Sequence, residues 1–280
     1  MPALYQDQTI AFLTQHGKED LLRPLLAPAL GCQLVRAEGF DTDTLGTFSG
    51  EIPRPDTQLQ TARQKARLGM DLLGQPVGMA SEGAFVPDPF GGMMPWNVEM
   101  LVWLDDTRGL EIVGMAQGPA RSGQRAVRTP EELQQFAAEA GFPEHQLVLR
   151  PQSETDPRVH KGLASAEDLQ QAFAACLAAA PDRVVYAEND LRAFSNPTRQ
   201  RMIVKAGEDL LQKLQSACPQ CALPGFAPTG VTRGLPCGAC GHPTQLPRLR
   251  HWRCVACAHQ HDEPVSARHA DPSRCDVCNP

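Results

Sequence analysis

The sequence predicts an α/β domain, a mixed sheet flanked by helices, followed by a small cysteine-rich module. Two observations carry that reading. From residue 9 to about residue 215, short apolar runs alternate with amphipathic, capped segments, the order that packs helices against a sheet. After residue 217 the composition changes: eight of the ten cysteines and five of the eight histidines lie there. The expected boundaries are therefore 1–215 and 216–280. The chain has 280 residues, 42 % hydrophobic and 21 % charged, which suits one large domain plus a small one and argues against a disordered chain.

The elements follow in order. Residues 9–17 (TIAFLTQHG) read as an apolar strand running into polar residues and Gly17. Residues 18–30 read as a helix or turn-helix, weakened by Pro24 and Pro28. Residues 32–37 form the next strand. In residues 56–74, Leu59, Ala62, Ala66, Met70 and Leu73 recur at helical spacing and Gly74 ends the helix. Residues 76–85, 98–106 and 110–118 are strands, the last two flanking Thr107-Arg108-Gly109 as a hairpin. Thr129 caps a helix that starts at Pro130 and stops at Gly141. A strand at 145–152, a helix at 165–180 capped by Ser165, a strand at 182–190 and a long helix at 196–217 complete the domain. Cys32 and Cys176 sit in apolar segments and read as core residues.

The module holds four C-x-x-C pairs: Cys218 and Cys221, Cys237 and Cys240, Cys254 and Cys257, Cys275 and Cys278. That spacing lets two thiolates grip one tetrahedral metal from a tight turn, and two such knuckles complete a four-cysteine zinc site. Four knuckles imply two structural zinc ions, a double zinc ribbon. Redox-active dithiols do not fit, because no thioredoxin-like unit surrounds them. Spacing does not fix which knuckles share a metal. A nested arrangement is expected, with the thirteen residues between the inner knuckles forming a hairpin and the outer knuckles closing around them. The sequential alternative joins first with second and third with fourth. Arg248 to Arg253 (RLRHWR) is a basic patch that could contact nucleic acid, or a solvated hairpin with Trp252 packed over a metal site.

The net charge of −6 disfavours a general polyanion binder. No run reaches the roughly 18 apolar residues of a membrane span, and the first residues lack a signal-peptide pattern. A cytoplasmic protein with no membrane partner is expected, a location where cysteines hold metal rather than form disulfides.

The large domain carries a candidate phosphate site. Thr14, His16 and the amides around Gly17 could cradle a phosphate where a helix begins, with Lys18 and Arg63 neutralising its charge. Glu82, between Ser81 and Gly83 at the end of an apolar run, could hold Mg²⁺ or Mn²⁺ with Glu51 or Asp43. Asp41 and Asp43 serve equally as turn formers. Thr14 and Lys18, then Ala62, Arg63 and Ala66, then Gly78, Glu82 and Gly83 occur in an order that resembles the inosine-triphosphate pyrophosphatase-like superfamily over roughly residues 8–115. It looks closest to the branch that hydrolyses inosine and xanthosine triphosphates. The resemblance implies that Glu82 helps to hold Mg²⁺ and that the substrate is nucleotide-like. The stretch AENDLRAFSNPTRQRMI (187–203) departs from that pattern. It sets Glu188 and Asp190 near Arg192, Asn196 and Arg199, either as a second part of the site or as a capped helix entry with Asn196 as cap. This stretch and the ending CDVCNP also resemble a bacterial family whose domain has no assigned function.

The expectation is thus a metal-dependent phosphohydrolase or phosphate-ligand binder, with Glu82, Glu188, Asp190 and Lys18 as catalytic candidates and Thr14, His16, Gly17, Lys18, Arg63, Arg192 and Arg199 as phosphate ligands. The alternative is a non-enzymatic nucleotide- or partner-binding protein whose ribbon docks to nucleic acid or protein. Convergence of Glu82, Glu188, Asp190, Lys18 and Arg63 in one cleft would separate the two.

Overall fold

The computed structural model describes residues 4–40 and 56–280. Asp41, Asp43 and Glu51 lie outside the described residues. Two compact units divide the chain: Met1–Arg108 with Val113–Leu210, and Gly109–Ile112 with Leu211–Pro280.

The chain opens with β1 (Thr9–Leu13), α1 (Lys18–Leu30), β2 (Gln33–Ala37), α2 (Gln58–Leu73), β3 (Val77–Pro87), β4 (Pro95–Asp105) and β5 (Leu110–Pro119), all in the first unit except the first three residues of β5. These strands form one sheet in the order β2-β1-β3-β4-β5, with β1 parallel to both β2 and β3, and β3 antiparallel to β4. The mixed α/β class expected from the sequence is the class observed. Helix α1 continues through Pro24 and Pro28, both of which lie on its solvent face, while Leu22, Leu26 and Leu30 bury the opposite stripe. A missing N–H there leaves only carbonyls that water can reach.

Small residues bring α2 onto the sheet. Ala62 and Ala66 pack with Ala11, Ala80 and Val102, and at Gly78 a side chain would collide with Met70 and the Ala66 carbonyl. The opposite face takes α5 (Pro197–Gln215). Val113 packs on the α2 side, so its neighbour Gly114 points the other way, where a Cβ would meet the Ala206 carbonyl and Leu210. Gly207 of α5 lies against Leu22 and Leu25 of α1. The sheet is therefore covered on both sides.

A second sheet is built from β6 (Gln124–Val127), β7 (Leu147–Pro151), β8 (His160–Leu163) and β9 (Val185–Asn189), in the order β6-β9-β7-β8 with antiparallel neighbours. Helices α3 (Pro130–Ala140) and α4 (Ala166–Ala179) cover one face through Leu133, Phe136, Phe173 and Cys176. Thr129 and Ser165 cap them as their sequences predict, accepting from Glu132 N and Asp168 N. The two short strands β6 and β8 have no counterpart in the sequence reading. Cys32 and Cys176 are both buried.

The second unit contains β10 (Phe226–Arg233), β11 (Pro247–Cys254) and β12 (Gln260–Pro264), an antiparallel three-stranded sheet with β11 in the centre. The expected hairpin between the inner knuckles does not form. Residues 247–254 run as one central strand, and its partners come from before the second knuckle and after the third. Outside the cysteines, few apolar side chains of this unit are buried: Leu214, Ala227, Leu235 and Ala270, with Leu110 and Ile112. No helix among the described residues is long and apolar enough to cross a membrane.

Candidate functional sites: two four-cysteine clusters and a buried charge cluster

The strand register decides how the knuckles pair. Cys218 and Cys221 lead into β10, whose first residue, Phe226, faces Cys254 at the end of β11. Knuckles one and three therefore meet at one end of the sheet. At the other end β10 leads into Cys237 and Cys240, and β12 leads back towards Cys275 and Cys278. Gly238 N donates to Ala270 O at 3.0 Å and Ala270 N to Pro236 O at 2.8 Å, which holds the last segment beside knuckle two. The clusters are Cys218, Cys221, Cys254 and Cys257, and Cys237, Cys240, Cys275 and Cys278. Both the nested and the sequential arrangement are thereby corrected to an interleaved one. Nesting fails because the inner knuckles sit at opposite ends of β11, about 25 Å apart for an eight-residue strand.

The sulfur geometry fits a metal. Cys218 and Cys257 Sγ are 3.7 Å apart, Cys221 and Cys254 3.7 Å, Cys240 and Cys275 3.7 Å, and Cys237 and Cys278 3.9 Å. A tetrahedral zinc centre with four bonds to sulfur of about 2.3 Å places its sulfurs about 3.8 Å apart. A disulfide needs about 2.05 Å. Backbone amides of the knuckles point at the first sulfurs: Gln220 N to Cys218, Ala239 N to Cys237 and Ala256 N to Cys254, at 3.4, 3.4 and 3.3 Å. The amides of Cys240 and Ala239 hold the Cys237 thiol down to about 7. Contact with Cys240 heads the causes that push Cys278 up to about 12. Four sulfurs so close ionise together only around a cation. Each group could hold one zinc ion.

Two members of the basic patch, His251 and Trp252, are engaged within the module, while Arg248, Arg250 and Arg253 are exposed. Trp252 stacks on Phe226, with ring centroids 5.5 Å apart, and its Nε1 donates to Glu263 at 3.0 Å. His251 Nδ1 lies 2.7 Å from Asp262 Oδ1 on the neighbouring strand.

In the first unit, the side chains gather where β1 stops and β3 runs on. β1 pairs with β3 at Ala11–Gly78 and Phe12–Met79, so Ser81, Glu82 and Gly83 extend just past the carboxyl end of β1. Since β1 lies between β2 and β3, its carboxyl end is the point where successive connections leave in different directions, the usual place for ligands in such sheets. Gly17 adopts a left-handed conformation (φ 66°) and starts α1 with no side-chain cap. Thr14 is buried, and its hydroxyl has no hydrogen-bond partner among the described residues. Lys18 is buried, with Nζ donating to Ser81 Oγ at 2.9 Å and Ser81 O at 3.3 Å. Burial first, then Arg199, lowers its pKa to about 8, against the pull of Glu82 and Glu99.

Glu82 faces the α2 side and is ion-paired with Lys65. Gln58 Nε2 donates to the Glu82 carbonyl at 2.8 Å and to that of Val98 at 2.9 Å, tying the start of α2 to the hairpin. On the other face Arg199 Nε donates to Glu99 Oε1 at 2.7 Å, both side chains fully buried. Gly83 lies directly across from Glu99, and any side chain there would overlap Glu99 and Arg199. The glycine after Glu82 is thus the space that a buried ion pair fills. Asn196 caps α5, accepting from Arg199 N at 3.0 Å.

The other candidates divide. His16 is half-buried, its ring 5.7 Å from that of Phe194, and the Arg192 guanidinium lies 4.6 Å above Phe194, so residues 192–194 adjoin the loop after β1. Arg192 is paired with Asp190, which also accepts from Gly162 N at 3.2 Å. Arg63 is half-buried on α2. Glu188 belongs to the second sheet, on β9, with Arg150 Nε at 3.4 Å, and burial raises its pKa. Glu82 and Glu188 therefore do not stand on adjacent strands: β3 and β9 are in different sheets. Lys65, Ser81, Asn97 and Glu99 were not singled out by the sequence.

A family model described as a domain of unknown function, DUF6671, matches residues 65–280. The chain belongs to the DUF6671 family. The match begins inside α2 and takes in Glu82, Glu99, Arg199 and all eight clustered cysteines, so the DUF6671 domain includes both four-cysteine clusters and most of the buried charge cluster. No curated protein matches the chain.

Proposed function

We propose that the first unit binds a phosphate-bearing small molecule at the carboxyl end of β1, beside Ser81–Gly83 in the middle of β3, and that the zinc ions of the second unit are structural. The observation that carries this is Lys18. A buried ammonium is costly without a counter-charge, yet among the described residues Nζ donates to the two neutral oxygens of Ser81. The charges acting on it are Arg199 and Lys65 against Glu82 and Glu99. Among these described residues, with Lys18 itself, three cations face two carboxylates. An anion at the uncapped start of α1 would balance them and meet free backbone amides. The order of motifs similar to the inosine-triphosphate pyrophosphatase-like superfamily supports phosphate as that anion and a nucleotide-like molecule as its carrier.

Of the two activities expected, binding is favoured over metal-dependent hydrolysis. A divalent cation at Glu82 would have to displace Lys65, and Glu188 offers its carboxylate from another sheet. A ribbon that docks to nucleic acid is less favoured too, because acids on β12 line the basic strand.

The test is a calorimetric titration of the full chain with inorganic phosphate and with a nucleoside triphosphate. Lys18→Met is expected to weaken binding by about 1.5–3 kcal/mol, the worth of a charge-assisted hydrogen bond. The ammonium is the binding form, so affinity should hold below pH 8 and fall as pH rises through about 8. Unchanged affinity in a folded Lys18→Met protein would remove the proposal. A screen of phosphate esters with Mg²⁺ or Mn²⁺ tests the hydrolytic alternative, and turnover abolished by Glu82→Gln would restore it.

A further inference from the structure

Glu99 and Asn97 stand two apart on β4 and face the same side as Ser81 and Gly83. Glu99 Oε1 accepts two hydrogen bonds, from Arg199 Nε at 2.7 Å and from Asn97 Nδ2 at 3.0 Å. Its second oxygen, Oε2, is buried and accepts none among the described residues. Asn97 Oδ1 is in the same state, although Asn97 Nδ2 also reaches the Ala84 carbonyl at 3.2 Å. Thr14 Oγ1 is a third such oxygen. Buried acceptors nearly always have a donor, and a carboxylate oxygen is the most costly to leave without one.

These oxygens and Lys18 make opposite demands on a ligand. Lys18 calls for an anion. Glu99 Oε2 and Asn97 Oδ1 call for hydrogen-bond donors, which inorganic phosphate supplies poorly and a hydroxylated carrier supplies well. A metal ion on the oxygens would add charge to a cluster already rich in cations.

We infer that the site takes a phosphate ester of a hydroxyl-bearing molecule, a sugar phosphate or nucleotide, with the phosphate against Lys18 and a hydroxyl donating to Glu99 Oε2 or Asn97 Oδ1. This rests on the phosphate reading above and specifies the chemistry of the carrier. Glu99 acts here as a specificity residue: it reads the part of the ligand that the cations do not.

The experiment compares methyl phosphate with ribose 5-phosphate on the full chain by calorimetry. Both carry the same monoester, and only the second brings hydroxyls. Ribose 5-phosphate is expected to bind tighter by about ten-fold or more, since a site built to accept from a hydroxyl discriminates strongly against a ligand that lacks one. Glu99→Gln turns the acceptor into a donor at constant size. It should erase the preference while methyl phosphate still binds, and Asn97→Leu should reduce it. Equal affinities in the parent protein overturn the inference and leave the phosphate site standing; they are the result expected if ordered waters satisfy the three oxygens. Binding of neither ester overturns both. The parent comparison needs no variant, so poor folding of Glu99→Gln does not rescue the idea.

Discussion

Chelating the metal is expected to unfold residues 211–280 while the first unit keeps its structure. The second unit buries few apolar side chains beyond its cysteines, too few to hold three short strands. Metal binding must supply the difference, and a structural Zn²⁺ site contributes about 10–16 kcal/mol. Zinc analysis should give two ions per chain. The interleaved pairing makes a sharper forecast. Cys218→Ser with Cys254→Ser damages one cluster and should leave one zinc. Cys237→Ser with Cys254→Ser damages both and should leave none firmly held. The nested arrangement forecasts the reverse for the second pair, and a retained zinc there would contradict the observed register.

Replacing Arg199 by Met is expected to cost about 3–5 kcal/mol of stability, the usual penalty for leaving a buried carboxylate without its partner. The side chains of Arg199 and Glu99 are both shut off from water. Removing the guanidinium also deprives the Leu191 carbonyl of its 2.6 Å donor. The double replacement Arg199→Met with Glu99→Leu should lose less than the single one, because no charge is left stranded. Chemical denaturation of the three proteins checks this. A single-variant loss below about 1 kcal/mol, the range of an exposed pair, would mean that the interaction is solvated after all.

What the sequence disclosed follows from the range of the forces involved. Caps are local, so Thr129, Ser165 and the stops at Gly74 and Gly141 were legible from a few residues each. The four C-x-x-C turns were legible for the same reason. Their pairing was not, since it depends on Phe226 facing Cys254 across two strands, a register no spacing encodes. The four-residue strands β6 and β8 are too short to show a period. Glu82 was visible because it breaks an apolar run beside glycine, but its partner Lys65 sits on a helix face that reads as solvated. Glu99 was hidden most thoroughly. It opens a strand-like alternation in which an acid suggests a water-facing position, and the arginine that buries it lies 100 residues away. Gly83 held the only local hint, a missing side chain directly opposite.

The claim that Lys18 is a buried cation kept for an anion can be put to a direct measurement. Lysine side chains labelled with ¹³C report their titration by NMR, and Lys18→Met identifies the resonance. A midpoint near 8 is expected for Lys18 in the free protein, with a rise when inorganic phosphate is added, because binding and protonation favour each other. A midpoint at the ordinary lysine value of about 10.4 that phosphate does not move would contradict it.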